Sequence, residues 1–237
     1  MIEVITIANR PPTEQYYCWA QFHDSLARFG YKALILGLGE PWGGLMTKPR
    51  KLQKWLREGT KADLIAVCDS WDSVWQKSPT ALEKEFEELK VDMLIGAERA
   101  CFPDHSLERF HPQSASSFRY VNTGMIVARP KVMLQFLDDM ELDKIPDDGK
   151  DPDNWHPNDQ HYVMLEFLKR AHNSMLDTQT KFVANLHGVK KEEIDYVPGG
   201  GVRIAETGNT PFVIHFNGGS KTDGLREPIL KHLGHPI

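Results

Sequence analysis

The stretch Leu64-Ile65-Ala66-Val67-Cys68-Asp69-Ser70-Trp71-Asp72-Ser73-Val74 decides the fold of this chain. Its first five residues are an uninterrupted apolar run, the pattern of a strand buried on both faces in a parallel sheet. The run stops abruptly at two carboxylates three residues apart. On a continuing strand side chains alternate faces, so Asp69 and Asp72 would diverge. A strand that ends at Cys68 and turns lets both converge on the carboxyl edge of the sheet, where open α/β sheets bind ligands. Two hard oxygen donors at that rim suit Mg²⁺ or Mn²⁺ and, through the metal, a diphosphate. A plain strand-to-loop turn in which Asp69 caps a helix fits the same residues, because so short a motif arises easily by chance.

Upstream, Ile2 to Ala8 reads as a first strand, punctuated by Pro11 and Pro12. Tyr16, Trp19, Phe22, Leu26 and Phe29 recur at three- and four-residue steps, which predicts an amphipathic helix ending near Gly30. Tyr31 to Leu38 is a second strand, Gly39 to Pro49 a turn-rich loop, and Arg50 to Glu58 a short basic helix. Pro79 to Leu89 is a helix with Pro at its start, followed by a strand over Met93 to Gly96. This strand–helix alternation predicts a parallel, doubly wound α/β sheet.

Downstream the pattern is less regular. Tyr120 to Ala128 reads as a strand containing Asn122-Thr123-Gly124, and Pro130 to Met140 as a helix. Asp138 to Asp153 is an acidic loop with Pro and Gly. Asn158 caps a helix running to Ala171. Phe212 to His215 is a late strand leading into Phe216-Asn217-Gly218-Gly219-Ser220-Lys221.

The 237 residues are organised as a single domain, large enough to bury roughly 70 to 75% of the unfolded surface. A hydrophobic fraction of 41% and a charged fraction of 26% are those of a soluble globular protein. The net charge of −5 gives no global attraction to nucleic acid or anionic membrane. No apolar segment approaches membrane-spanning length, and Ile2 opens a strand rather than a secretory leader. Three unpatterned cysteines, Cys18, Cys68 and Cys101, point to the cytoplasm or another reducing compartment.

His215 ends its strand as Asp69 does. A neutral imidazole beside two carboxylates suits Mn²⁺ better than Mg²⁺. Gly218 allows close backbone approach to a phosphate and Lys221 can neutralise one. A core histidine followed by an ordinary turn accounts for each of these features taken alone.

The ordered set Leu36-Gly37-Leu38-Gly39-Glu40-Pro41-Trp42, Lys51, Asp69-Ser70-Trp71-Asp72, Ala97-Glu98, Asn122-Thr123-Gly124 and His215-Phe216-Asn217-Gly218 resembles the glycosyltransferase domain of procollagen lysyl hydroxylases and the related microbial and viral collagen-type glycosyltransferases. The resemblance covers Ile2 to Gly234. It implies a GT-A fold, a Rossmann-like nucleotide-binding half (about 1–100) merged with an acceptor-binding half (about 101–237), with Mn²⁺ as cofactor and a UDP-sugar as donor. The implied metal ligands are Asp69, Asp72 and His215. Thr6 and the neighbouring backbone would hold the uridine, and Trp71 would stack on uracil or ribose. Lys51 would face the donor, and Asn217, Gly218 and Lys221 would grip the diphosphate. Independently of the resemblance, the loop Gly39 to Pro49 with Trp42, Gly43 and Gly44 reads either as a lid whose Trp42 contacts donor or acceptor or as a hydrophobic plug. Asp159, in the only part of the middle region that aligns (Asp159-Gln160), is the expected acid at the reacting centre.

Departures from the family pattern are a shortened Gly43-Gly44 segment and the lack of hydroxylase domains, so Fe(II)/2-oxoglutarate chemistry is not expected and the hydroxyl acceptor need not be hydroxylysine. Two other functions use the same carboxylates. A metal-dependent nucleotidyltransferase or phosphoesterase needs more ligands at strand ends than the sequence places. A glycosyltransferase acting on a modified nucleic-acid base needs a basic groove, for which Arg50, Lys51, Lys54 and Arg57 offer one modest stripe.

Overall fold

A computed structural model describes residues 1–10, 18–146, 157–221 and 224–236, without the side chains of Ser220 and Lys221. Pro11, Pro12, Tyr16 and the acidic loop from 147 through Asp153 to 156 therefore lie outside the described residues. The elements in chain order are β1 (Ile2–Ile7), α1 (Trp19–Ala27), β2 (Leu34–Leu36), α2 (Thr47–Glu58), β3 (Leu64–Cys68), β4 (Ser73–Trp75), α3 (Pro79–Leu89), β5 (Met93–Glu98), β6 (Tyr120–Ala128), α4 (Pro130–Asp139), α5 (Asp159–Leu168), β7 (Ser174–Leu176), β8 (Val183–Asn185), β9 (Ile194–Val197), β10 (Gly201–Ile204), β11 (Val213–His215) and α6 (Arg226–His232).

Six strands form the central sheet in the order β2-β1-β3-β6-β5-β7. The alternation in β3 sorts its side chains as a doubly covered strand requires. Leu64, Ala66 and Cys68 join a core with Phe22 and Leu26 of α1 and Leu82 and Phe86 of α3. Ile65 joins the opposite core with Leu52 of α2, Phe136 of α4 and Val163 of α5. Helices on both faces bury the sheet, as the continuous apolar runs demand.

The sheet is mixed rather than wholly parallel. β6 runs antiparallel to both of its neighbours, β3 and β5. Among the described residues, the β5–β6 connection contains only a 3₁₀ turn, His105–Phe110, and no α-helical crossover to return the chain in the parallel sense. A second sheet of three short strands, β4-β11-β8, stands beside the first, and β9 and β10 form a hairpin. β4, β7 and β8 have three residues each, too few to show a period in the sequence; β2 and β11 are as short but lie inside the longer stretches that read as strands from Tyr31 and Phe212.

Two helix starts follow from local chemistry. The Ser78 hydroxyl accepts from the Thr80 N–H ahead of Pro79, and the Asn158 side chain accepts from the Gln160 N–H at 2.9 Å. Helix α2 departs from expectation by beginning at Thr47 instead of Arg50. Pro49 falls in its first turn, where a missing N–H costs nothing because those donors have no intrahelical acceptor. The earlier start carries Lys48 into the helix.

The end of β5 is tied to the β9 region by Arg99, whose guanidinium donates to Glu193 at 2.5 and 3.0 Å and to Glu206 at 2.7 Å. The hydrogen bonds from Arg99 hold the Glu193 carboxyl down at about 2. A depressed carboxyl pKa stabilises the fold above the unfolded value and loses that contribution as pH falls through the folded one. Arg99→Met should lower stability at pH 7 by about 1–2 kcal/mol after allowance for solvent screening. The gap from wild type should close between about pH 4.5 and 2, as read from denaturant midpoints across that range.

Candidate active site

The two aspartates sit where the chain passes from one sheet to the other. Asp69 follows β3 and keeps its register for one more residue, its N–H donating to the Gly124 carbonyl at 2.9 Å. The chain then turns and re-enters a strand at Ser73, with the Asp72 carbonyl accepting from the Phe216 N–H at 2.7 Å. β11 pairs His215 opposite Ser73, which sets the imidazole beside Asp72, Nε2 lying 3.4 Å from Oδ1. One donor atom from each of Asp69, Asp72 and His215 lies within 4.8 Å of the others.

The orientation of the imidazole is fixed from behind. Asn185, at the end of β8, donates its amide N–H to the Ala97 carbonyl at 2.8 Å, so its oxygen faces His215 Nδ1 at 2.7 Å. Nδ1 must then carry a proton, which turns Nε2 toward the carboxylates as the nitrogen that can ligate. Gly124 makes room for the ring, because a Cβ there would lie 2.0 Å from His215 Cε1. The glycine of Asn122-Thr123-Gly124 is a requirement of the imidazole's position.

Lys48 joins the third acid to this group. Its ammonium donates to Asp69 at 3.0 and 3.2 Å and lies 3.0 Å from Asp159 Oδ2. Burial alone would lower the Lys48 pKa, but Asp159 and Asp69 outweigh it and hold the ammonium above its ordinary value. Burial, with Asp69 adding to it, pushes the Asp159 carboxyl up, against the pull of Lys48. The Thr123 hydroxyl also donates to Asp159 Oδ2, at 3.4 Å.

Glu98 organises the wall behind. It is buried at 3% exposure and accepts from the side-chain amides of Asn122, Gln160 and Asn217 at 3.0, 2.8 and 2.8 Å. Burial pushes its carboxyl up while the amides of Asn122 and Gln160 oppose the shift. Asn217 completes the link by accepting from the His187 N–H at 2.8 Å.

A cleft of about 460 Å³ opens over the aspartates, lined by Trp42, Lys48, Asp69, Trp71 and Asp72 together with Ile7, Asn9 and Arg10 from the end of β1. Several expected contacts fall elsewhere. Thr6 is fully buried and its hydroxyl donates to Ser70 at 2.8 Å, so its side chain braces the aspartate turn from below while the residues after it reach the cleft. Lys51 lies over Gly37 and pairs with Glu40. Lys48, one turn earlier on α2, is the lysine that reaches the carboxylates. The Asn217 amide, expected on a diphosphate, is engaged by Glu98 and His187. Gly218, at φ 55°, packs its backbone against His187, where a Cβ would come within 2.7 Å of Nδ1. The backbone of Lys221 ends the 3₁₀ turn Gly218–Lys221, and its side chain lies outside what the structure describes. Asn185 and Lys48 were not foreseen, and Glu98 stood in a motif without a role. The only signal for Lys48 was a helix start hidden by Pro49.

The family described as PLOD GT domain matches residues 1–226 of this chain. A procollagen-lysine,2-oxoglutarate 5-dioxygenase of Drosophila melanogaster is 31% identical over 242 residues, covering 94% of this chain and 31% of the relative. The multifunctional procollagen lysine hydroxylase and glycosyltransferase of Caenorhabditis elegans is 30% identical over 237 residues, covering 92% of this chain and 30% of the relative. The chain thus spans about a third of the length of these relatives. Among solved structures, a glycosyltransferase involved in the glycosylation of the major capsid of PBCV-1 superposes with a TM-score of 0.57 at 11% identity, over 98% of both chains. An active-site mutant of LgtC gives 0.55 at 12% identity, over 99% of this chain and 95% of that one. Both share the GT-A fold with this chain.

Asn185→Ala should leave the fold in place and free the imidazole to rotate. Gly124→Ala should push it out of position. Each should weaken divalent-metal binding by about 10–100-fold, the usual cost of losing an outer partner of a ligating histidine, as measured by calorimetric titration.

Proposed function

Since the chain belongs to the PLOD GT domain family, and is a glycosyltransferase domain, we propose that it uses Mn²⁺ to move a hexose from a UDP-sugar to a hydroxyl-bearing acceptor. The observation that carries this reading is the grouping of Asp69, Asp72 and an Nε2-presenting His215 at the edge of a cleft that also holds two tryptophans. Two carboxylates and a neutral imidazole are a donor set suited to Mn²⁺. Bound there, the ion would neutralise charge on the departing diphosphate.

The remaining roles follow from position. About residues 1–100 would bind the nucleotide and about 101–237 the acceptor. Trp71, half-buried beside Asp72, would stack on the uracil or ribose, with the backbone after β1 holding the base. Trp42, 37% exposed at the cleft mouth, would close over the donor with its loop and exclude water. Lys48 would answer the charge that the diphosphate brings to Asp69 and Asp159. The Gly218 backbone and Lys221 would approach the diphosphate from the opposite side, and Lys51 and Asn217 would support these contacts through their neighbours. Asp159, held above the ordinary carboxyl range by burial, would act on the sugar or take the acceptor's proton. The C. elegans relative is named as both a lysine hydroxylase and a glycosyltransferase, which supports a hydroxylysine-like acceptor as the first class to try.

The test is a thermal-shift panel of UDP, GDP and CMP and their sugars, with and without Mn²⁺. A ligand that binds only the folded state raises the melting temperature, by an amount that grows with concentration over Kd. UDP or a UDP-sugar with Mn²⁺ should give the largest rise, and Asp69→Asn or Asp72→Asn should remove it. A nucleotide preference other than uridine, or equal shifts without the metal, would overturn the proposal.

Asp159→Asn keeps size while removing charge. It should cut glycosyl transfer, followed as UDP release, by at least about a hundredfold. Affinity for UDP with Mn²⁺ should stay near that of the wild type.

A further inference from the structure

A second group of metal-type donors lies at the far end of α5 from Asp159. Glu166 stands seven residues further along that helix, about 10 Å away by helical rise. Asp139 ends α4, and His172 lies in the loop that follows α5. One donor atom from each lies within 4.8 Å of the others. His172 Nε2 is 3.2 Å from Asp139 Oδ2 and 3.7 Å from Glu166 Oε1. Donors of a tetrahedral shell with bonds of about 2.1 Å stand ~3.4 Å apart, and the two His172 spacings bracket that value.

The atoms facing inward are buried and meet only one another. The Glu166 side chain is 2% exposed and that of His172 is 9% exposed. Apart from these contacts with one another, neither Glu166 Oε1 nor His172 Nε2 makes a well-directed hydrogen bond among the described residues. A buried polar atom without a partner costs about 1–3 kcal/mol, and more when charged, so two at one point call for a ligand between them. The outward atoms, by contrast, are held. Lys169 donates to Glu166 Oε2 at 2.5 Å, and Gln135 donates to Asp139 Oδ1 at 2.8 Å. Each carboxylate therefore has one oxygen fixed by an outside partner and the other turned toward the imidazole, the arrangement of ligands oriented by an outer shell. Phe136 packs against the His172 ring, centroids 5.3 Å apart, and walls one side from water.

We infer that Asp139, Glu166 and His172 form a second divalent-metal site, structural in role and separate from the cleft. It would bind Zn²⁺, which takes one imidazole and two carboxylates in tetrahedral geometry and outranks Mn²⁺ for such donors. The fourth position goes to water on the side of Asp139, whose side chain is 38% exposed. The bound ion ties the end of α4 to α5 and to the strand that follows, β7. Lys169 lowers the affinity by placing a positive charge on Glu166, and its own side chain is 56% exposed and able to swing away.

The experiment uses the whole chain carrying Asp69→Asn and Asp72→Asn, stripped by chelator, so that the cleft no longer competes. Calorimetric titration with Zn²⁺ should show one equivalent bound and a raised melting temperature, and Co²⁺ in its place should give visible ligand-field absorption. Adding His172→Asn should weaken Zn²⁺ binding at least about tenfold and abolish the Co²⁺ bands, the scale expected when one of three protein ligands is lost, while the metal-free circular dichroism stays that of the parent. Should that variant fail to fold, Asp139→Asn at the exposed rim gives the same reading. Absence of stoichiometric Zn²⁺ binding in the cleft-disabled chain would overturn the site, as would undiminished binding with His172 or Asp139 replaced. Neither result bears on the UDP and Mn²⁺ panel, so the two proposals fail separately.

Discussion

Three acids, Asp69, Asp72 and Asp159, converge on one edge of the central sheet, and the fold must hold them together against their mutual repulsion before any ligand arrives. Among the described residues, Lys48 is the cation placed between two of them, touching Asp69 and Asp159 from a helix packed on the same face. The geometry of α2 is therefore part of the site. Its first turn must begin before Pro49 for the ammonium to reach both carboxylates. A partly neutralised edge in the resting protein also leaves a clear exchange for a bound metal and diphosphate, which bring charges of opposite sign into the same cleft.

The second constraint is rigidity, and neutral amides rather than further charges supply it. Glu98 gathers Asn122, Gln160 and Asn217, from β6, α5 and the segment after β11, onto one buried carboxyl. Asn185 holds His215 in the tautomer that presents Nε2. Residues that resemble family motifs thus divide into two kinds. Asp69, Asp72, His215 and Asp159 face the cleft side, whereas Glu98, Asn122, Gln160 and Asn217 brace one another behind it. A change in the second kind would act through the position of the first, since buried, fully satisfied networks transmit small displacements with little slack.

Much of this was legible along the chain. The apolar run of Leu64 to Cys68, the Pro79 helix start and the Asn158 cap are local features whose physics is complete within a few residues. The convergence of Asp69 and Asp72 was open to local reasoning, because a strand that ends near Cys68 and turns lets two carboxylates three residues apart reach one edge. The antiparallel course of β6 was hidden, since direction in a sheet depends on what connects the strands. Lys51 drew attention through its motif, yet its ammonium pairs with Glu40, and a proline that resembled a helix boundary concealed Lys48.

The sequence by itself determined the layered α/β plan and the termination of the key strand at a pair of aspartates. Each is set by periodicity or by the chemistry of neighbouring residues. Only the tertiary structure decided which lysine neutralises the aspartates, which amide orients the histidine and why Gly124 must lack a side chain. Those partners are separated by 21 to 111 residues, from Lys48 and Asp69 at one extreme to Lys48 and Asp159 at the other. No local pattern encodes a contact made through space, and it exists only once the elements that carry the two partners are folded together.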